Sequence, residues 1–189
     1  MKMKKGLWLA LLVTGIIAIV AVSISIASDK QSTVATQEGA IQWISVEDLP
    51  AKQAEEPRKV IVDLYTDWCG WCKKMDAGTF ADPNVAKYIG EKFYAVKFNA
   101  ETKTPVVFKG KTYQFETNGN RGVNGLAVEL GSFNGRLGYP TIVILDESLN
   151  KLEANPGYKE APSMLQLAKF YGDNHYKTIN FQQFEQSGQ

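Results

Sequence analysis

The sequence predicts an α/β domain in which a central mixed β-sheet is flanked by helices. Three observations carry that prediction. Lys59-Val60-Ile61-Val62-Asp63-Leu64-Tyr65-Thr66 is a β-branched and aromatic run, the pattern of a buried central strand. Two helical segments and a second strand at residues 92–99 follow, so the order strand, helix, helix, strand fits a βαβ unit with parallel pairing. A third strand at 138–145 runs in through Pro140, and residues 151–154 are placed to return antiparallel to it.

The elements follow in order. Ser45 is a helix N-cap with Asp48 three residues on, and Pro50 makes the first helix irregular; Glu55, Glu56 and Pro57 close it. Asp82-Pro83 pairs an N-cap with an N1 proline and opens a helix to about Ile89, where Gly90 is expected to end it. Residues 106–108 and 112–115 flank Lys109-Gly110-Lys111 as a hairpin with a glycine turn. Residues 118–124 are Gly/Asn-rich and read as a loop, and 126–130 as a short helix. Pro162 opens a last amphipathic helix bearing Met164, Leu165, Leu167, Ala168 and Phe170. The tail from Asn174 is polar with spaced aromatics and takes no assignment from pattern alone.

The chain has 189 residues, enough for one domain with a real core. With 44% apolar and 22% charged residues, disorder is not the default reading. A formal charge of +1, with no basic run outside the N-terminus, gives a nucleic-acid role little electrostatic support. The N-terminus reads apart from the fold. Lys2, Lys4 and Lys5 precede an uncharged stretch from Gly6 to Ser28. Residues 1–28 are thus either a secretory signal, cut after Ala27, or an uncleaved membrane anchor. Both place the remainder outside the cytoplasmic membrane, because the lysines stay inside. Residues 29–40 are small and polar, a linker, and 41–189 form the domain.

Both cysteines of the chain lie in Asp67-Trp68-Cys69-Gly70-Trp71-Cys72-Lys73-Lys74. Structural zinc wants four ligands, and the lone His175 is more than a hundred residues away. Covalent haem needs His where Lys73 stands, and an iron–sulfur cluster lacks thiolates. No flavin, nicotinamide or metal motif is present, so no cofactor is expected. A disulfide closing so small a loop is a poor staple. Redox chemistry remains. The first cysteine of a helix-opening CxxC meets unpaired N–H groups and the positive end of the helix dipole, which favour the thiolate. Cys69 is therefore the candidate nucleophile, and Cys72, one turn on, the candidate resolving thiol.

The stretch Val62-Asp63-Leu64-Tyr65-Thr66-Asp67-Trp68-Cys69-Gly70-Trp71-Cys72-Lys73 resembles the strand–motif–helix signature of the thioredoxin family. Trp71 departs from the proline usual in cytosolic members. Asp63, six residues before Cys69, is similar to the family's buried acid beneath the resolving cysteine, and Lys97 to the lysine that pairs with it. Tyr139-Pro140-Thr141 resembles the cis-proline segment that faces the disulfide. The resemblance covers roughly residues 41–172 and is nearest to exported or membrane-tethered members, including the C-terminal domain of the membrane thiol–disulfide interchange reductase. It implies a thioredoxin-like fold, from which this sequence departs by a hairpin and loop insertion, residues 104–125, ahead of the cis-proline strand. It also implies Asp63 as proton acceptor for Cys72, and Trp68, Gly70, Trp71, Tyr139 and Pro140 as the surface that meets protein substrates.

The function expected is thiol–disulfide exchange on exported protein substrates, with recharging by a membrane dithiol electron donor. Asp63, and the absence of a nearby His, favour reduction over oxidation. A disulfide oxidase or isomerase, and a non-catalytic binding module or chaperone using the insertion as its contact surface, are the alternatives.

Overall fold

The computed structural model describes residues 40–119 and 121–188. The predicted segment 1–28 and nearly all of the linker lie outside the described residues. Among the described residues no helix is long and apolar enough to cross a membrane.

A five-stranded mixed sheet forms the centre, in the order β1 (Trp43–Ile44), β3 (Phe93–Asn99), β2 (Lys59–Tyr65), β8 (Thr141–Leu145), β9 (Lys151–Pro156). The first three strands run parallel; β8 is antiparallel to β2, and β9 to β8. Helices α2 (Gly70–Ala77) and α3 (Pro83–Lys92) connect β2 to β3, as the βαβ reading expects.

Strand parity divides the core in two. Ile61, Ala95, Ile142 and Ile144 point to one face, where they pack with Met75 of α2, Ile89 of α3 and Met164 of α5 (Ala161–Gly172). Val60, Val62, Leu64, Val96 and Val143 point to the other. There they meet Leu49 of α1 (Leu49–Glu55) and Leu126 of α4 (Gly125–Gly131). At Gly131 a Cβ would stand 2.3 Å from Leu64 Cδ1, so only glycine lets α4 lie this close to β2.

The 104–125 insertion is part of this second core layer. Hairpin β4 (Val106–Phe108) and β5 (Lys111–Tyr113) buries Val106, Phe108 and Tyr113. Its turn residues Lys109 and Gly110 have φ of 49° and 75°, the left-handed pair that a two-residue hairpin turn requires. Asn124 is fully buried and ties the insertion to the end of β3: its N–H donates to the Ala100 carbonyl at 2.7 Å, and its side chain caps α4 through the Leu126 N–H.

Two expectations need correction. Residues 118–124 are not a plain loop: Phe115–Asn118 (β6) and Arg121–Asn124 (β7) pair antiparallel. Helix α3 runs past Gly90 to Lys92, since a glycine in the last turn costs only about 1 kcal/mol and Val85, Ala86 and Ile89 hold the helix on the core. The first helix is irregular, as expected from Pro50: a 3₁₀ turn over Val46–Asp48 leads into α1. The Asp48 carboxylate accepts from both the N–H and the hydroxyl of Ser45, at 3.1 and 2.9 Å.

The unassigned tail folds back on the first core layer. Asn174, at φ 65°, turns the chain after α5 and accepts at 2.9 Å from Lys59 Nζ, which also pairs with Glu147. Asn180 and Gln183 cap α6 (Phe181–Gln186) reciprocally, and Phe184 is fully buried against Phe170 and His175. Phe184→Ala is expected to cost about 3 kcal/mol in urea unfolding. A loss under about 0.5 kcal/mol, the level of a surface change, would detach α6 from the core.

Candidate functional site at the head of helix α2

Strand β2 ends at Tyr65 and four residues, Thr66 to Cys69, carry the chain into α2. The Cys69 N–H donates to the Thr66 carbonyl at 3.1 Å, closing that turn. Cys69 is the N-cap of α2, and its Sγ accepts the Cys72 N–H at 3.1 Å. The two sulfurs are joined, S–S 2.14 Å. Both cysteines are buried, while Trp68 and Trp71 beside them are 61% and 57% exposed. An N-cap sulfur lies at the positive end of the helix dipole, so reduction leaves its thiolate in a favourable field. A Cβ at Gly70 would meet nothing within 4 Å, so this position faces open space.

Parity places the next layer. Asp63 shares the face of Ile61, and its parallel neighbour in β3 is Lys97, on the face of Ala95. Its other neighbour is the apolar Ile142. Asp63 is thereby 1% exposed, and Lys97 Nζ donates to its Oδ2 at 3.0 Å. The same ammonium donates to Asp76 of α2, and its Nζ lies 5.0–5.9 Å from the ring centres of Trp43, Tyr65 and Phe80. Burial pushes the Asp63 carboxyl up to about 6 against the opposing pull of Lys97, and Asp76 adds to the rise. For Lys97, burial pulls downward, and the two carboxylates outweigh it, leaving the ammonium above its ordinary value. The second Asp63 oxygen, Oδ1, is buried without a hydrogen-bond partner. A carboxyl poised near neutrality with one unused oxygen can take or give a proton there.

The Tyr139-Pro140 bond is cis, as the resemblance implied. The Pro140 carbonyl accepts from Gly157 N–H at 2.8 Å, and no backbone hydrogen bond engages Tyr139 among the described residues. The Tyr139 ring stands edge-on to Trp68 at 6.0 Å, and burial, then Glu101, pushes its hydroxyl up to about 12.

The structure therefore brings the expected residues together in two groups. Trp68, next to the buried Cys69–Cys72 disulfide, packs on Tyr139 of the cis-proline segment, and Asp63 and Lys97 form the ion pair in the core layer. Trp71 lies apart, tilted on Tyr158 at 5.3 Å, with Lys74 Nζ 4.9 Å from each ring. Sequence reasoning missed Asp76, Glu101 and Tyr158. Asp76 had a signal: it is four residues after Cys72, on the same face of α2. Glu101, whose two oxygens accept the Trp68 Nε1–H at 3.0 Å, had none.

A buried strand delivering a CxxC pair to the head of a helix, on a mixed sheet with a cis-proline strand, defines a thioredoxin-fold thiol–disulfide centre. The family model described as a thioredoxin-like domain matches residues 46–172, and the chain belongs to that family. Among curated relatives, the thiol:disulfide interchange protein DsbD of Yersinia pestis is 29% identical over 140 residues, covering 69% of this chain and 20% of the relative. That of Pectobacterium atrosepticum is 40% identical over 45 residues, covering 24% and 8%. The chain thus spans a fifth or less of the length of these relatives. A thioredoxin-fold protein from Helicobacter pylori shares the fold, with TM-score 0.51 and 18% identity over 69% of this chain and 80% of that one.

The raised Asp63 value has a sign that can be checked. Because the folded-state value lies above that of an unfolded aspartate, this group favours the native state fully below about pH 4 and loses that contribution as pH rises through about 6. Asp63→Asn removes the titration. Between pH 4 and 7 the oxidised wild type should therefore lose about 2 kcal/mol of stability relative to Asp63→Asn in urea unfolding. Parallel pH profiles for the two proteins would refute the buried titration.

Proposed function

We propose that this chain is a thiol–disulfide reductase for exported protein partners, and that residues 1–28 carry or hold the domain on the outer side of the cytoplasmic membrane. The observation that supports it most is the pairing of an N-cap sulfur, Cys69, with a buried carboxyl, Asp63, that keeps one oxygen unused. In the reducing direction the Cys69 thiolate attacks one sulfur of a partner disulfide. A mixed disulfide forms, and the partner's other sulfur leaves as a thiolate that takes a proton from water. Asp63 accepts the proton of Cys72, whose thiolate then attacks Cys69 Sγ. The second partner sulfur leaves as a thiolate that takes a proton from water, Asp63 gives up the proton it took to solvent, and the Cys69–Cys72 disulfide remains. Two electrons have passed from the chain to the partner.

Lys97 holds one Asp63 oxygen and leaves the other for the proton. The open space at Gly70 and the exposed Trp68 and Trp71 give a partner chain room to approach. The unengaged Tyr139 backbone offers strand-like pairing to a partner segment. Recharging needs another dithiol that delivers two electrons, and a membrane dithiol relay is the source consistent with relatives called interchange proteins. The reducing direction rests on a buried acid near neutrality and on the absence of a histidine between the cysteines.

In an insulin-reduction assay of the full-length chain, Cys69→Ser should lower turnover by about 10³-fold or more. Cys72→Ser should instead accumulate a covalent mixed disulfide, visible on a non-reducing gel and released by dithiothreitol. Undiminished turnover in both variants would end the enzymatic reading.

A further inference from the structure

The β6–β7 hairpin stands against the exposed side of the disulfide site and walls two adjoining clefts, of ≈ 490 and ≈ 460 Å³. Both clefts include Trp68, Glu101, Arg121 and Gly122. Register assigns the hairpin's two faces. Thr117 pairs with Gly122, so Phe115, Thr117 and Gly122 line the first cleft together with Lys103. Val123 lies on the other face and lines the second cleft with Leu137 and Tyr139 of the cis-proline segment. Gly122 is needed for this packing, since a Cβ there would stand 2.2 Å from the Phe115 ring. A segment lying along Tyr139 therefore runs directly into the hairpin.

The charges in this groove are not self-satisfied. The Arg121 guanidinium is exposed and lies 6.0 Å from the Trp68 ring, and Lys103 is exposed at the rim. Neither has an ion-pair partner among the described residues. The nearby acids are turned elsewhere: both oxygens of Glu101 accept from Trp68, and Asp67 accepts from Asn99 at 3.1 Å. What the fork of Arg121 lacks is a carboxylate of its own, since Glu101, which lines both clefts, is engaged by Trp68. Next to it the Val123, Leu137 and Tyr139 cleft takes an apolar side chain.

Resting on the proposed exchange function, we propose that the β6–β7 hairpin is a specificity subsite for protein partners that carry acidic residues beside the exchanging cysteine. Arg121, assisted by Lys103, reads the acid. The test uses the full-length chain, reduced and desalted, in single turnover against two disulfide-linked peptide dimers. The peptides are identical except that the cysteine is flanked on both sides by Asp in one and by Lys in the other. The wild type is expected to react at least about fivefold faster with the acidic peptide, and the preference should fade at 0.5 M salt. Arg121→Glu should reverse the order. Each readout is a ratio within one protein, and the salt series in the wild type stands whether or not the variant folds. Equal wild-type rates, a salt-independent ratio, or an unchanged preference in Arg121→Glu would overturn the proposal while exchange itself stands. Failure of both peptides and of insulin to oxidise the chain would remove the exchange function, and this subsite with it.

Discussion

A carboxyl in the interior of a sheet must be neutral or paired, and Asp63 is held between those two conditions. Desolvation favours the proton; Lys97 favours its loss; the balance falls near neutrality. The position follows from strand parity. In β2 every second residue faces α2, and Asp63 takes a turn that Ile61 and Ile142 would otherwise fill with apolar surface. Lys97 is its register partner in β3, so a slip of one residue would send both side chains to the opposite face. The parallel β2–β3 pairing and the buried Asp63–Lys97 pair are thus one constraint. Asp76 sharpens it, because a second carboxylate on Lys97 limits how far the ammonium can favour ionised Asp63.

Helix α2 turns that layer into chemistry. Its N-cap is a sulfur, and the first-turn N–H of Cys72 points at it. The same helix carries Met75 into the core and Asp76 onto Lys97. One element therefore fixes the N-cap sulfur, anchors to the sheet and bears on the buried acid through Lys97. The insertion adds a second kind of positioning. Its β4–β5 hairpin, with the α4 that follows it, completes the opposite core layer, while β6–β7 reaches round to the site. Buried Asn124 joins these two tasks at the end of β3.

The elements with strong local signals were legible in the sequence. β2 announced itself as an apolar β-branched run, the β4–β5 turn through Lys109-Gly110, and α3 through Asp82-Pro83. Cys69 and Cys72 were legible because few other chemistries suit two cysteines at that spacing. Asp63, Lys97 and the cis bond before Pro140 came from the family resemblance, and the structure supplies the contacts around them. The β6–β7 hairpin was hidden because Phe-Glu-Thr-Asn and Arg-Gly-Val-Asn show too little apolar alternation to mark strands. Glu101 and Arg121 were hidden for a different reason: their places depend on how distant segments meet around Trp68, which local pattern does not encode. The tail was silent because its aromatics find their spacing only against Phe170 and Tyr171.

The direction of electron flow is the central claim, and the pair Gly70-Trp71 between the cysteines departs from the proline-containing form of cytosolic thioredoxins. The most direct measurement is the reduction potential of the Cys69–Cys72 couple in the full-length chain, equilibrated against glutathione or dithiothreitol buffers at pH 7. A reductase with a buried acid near neutrality should lie at or below about −220 mV. A value near about −120 mV, where strong disulfide donors lie, would contradict the account.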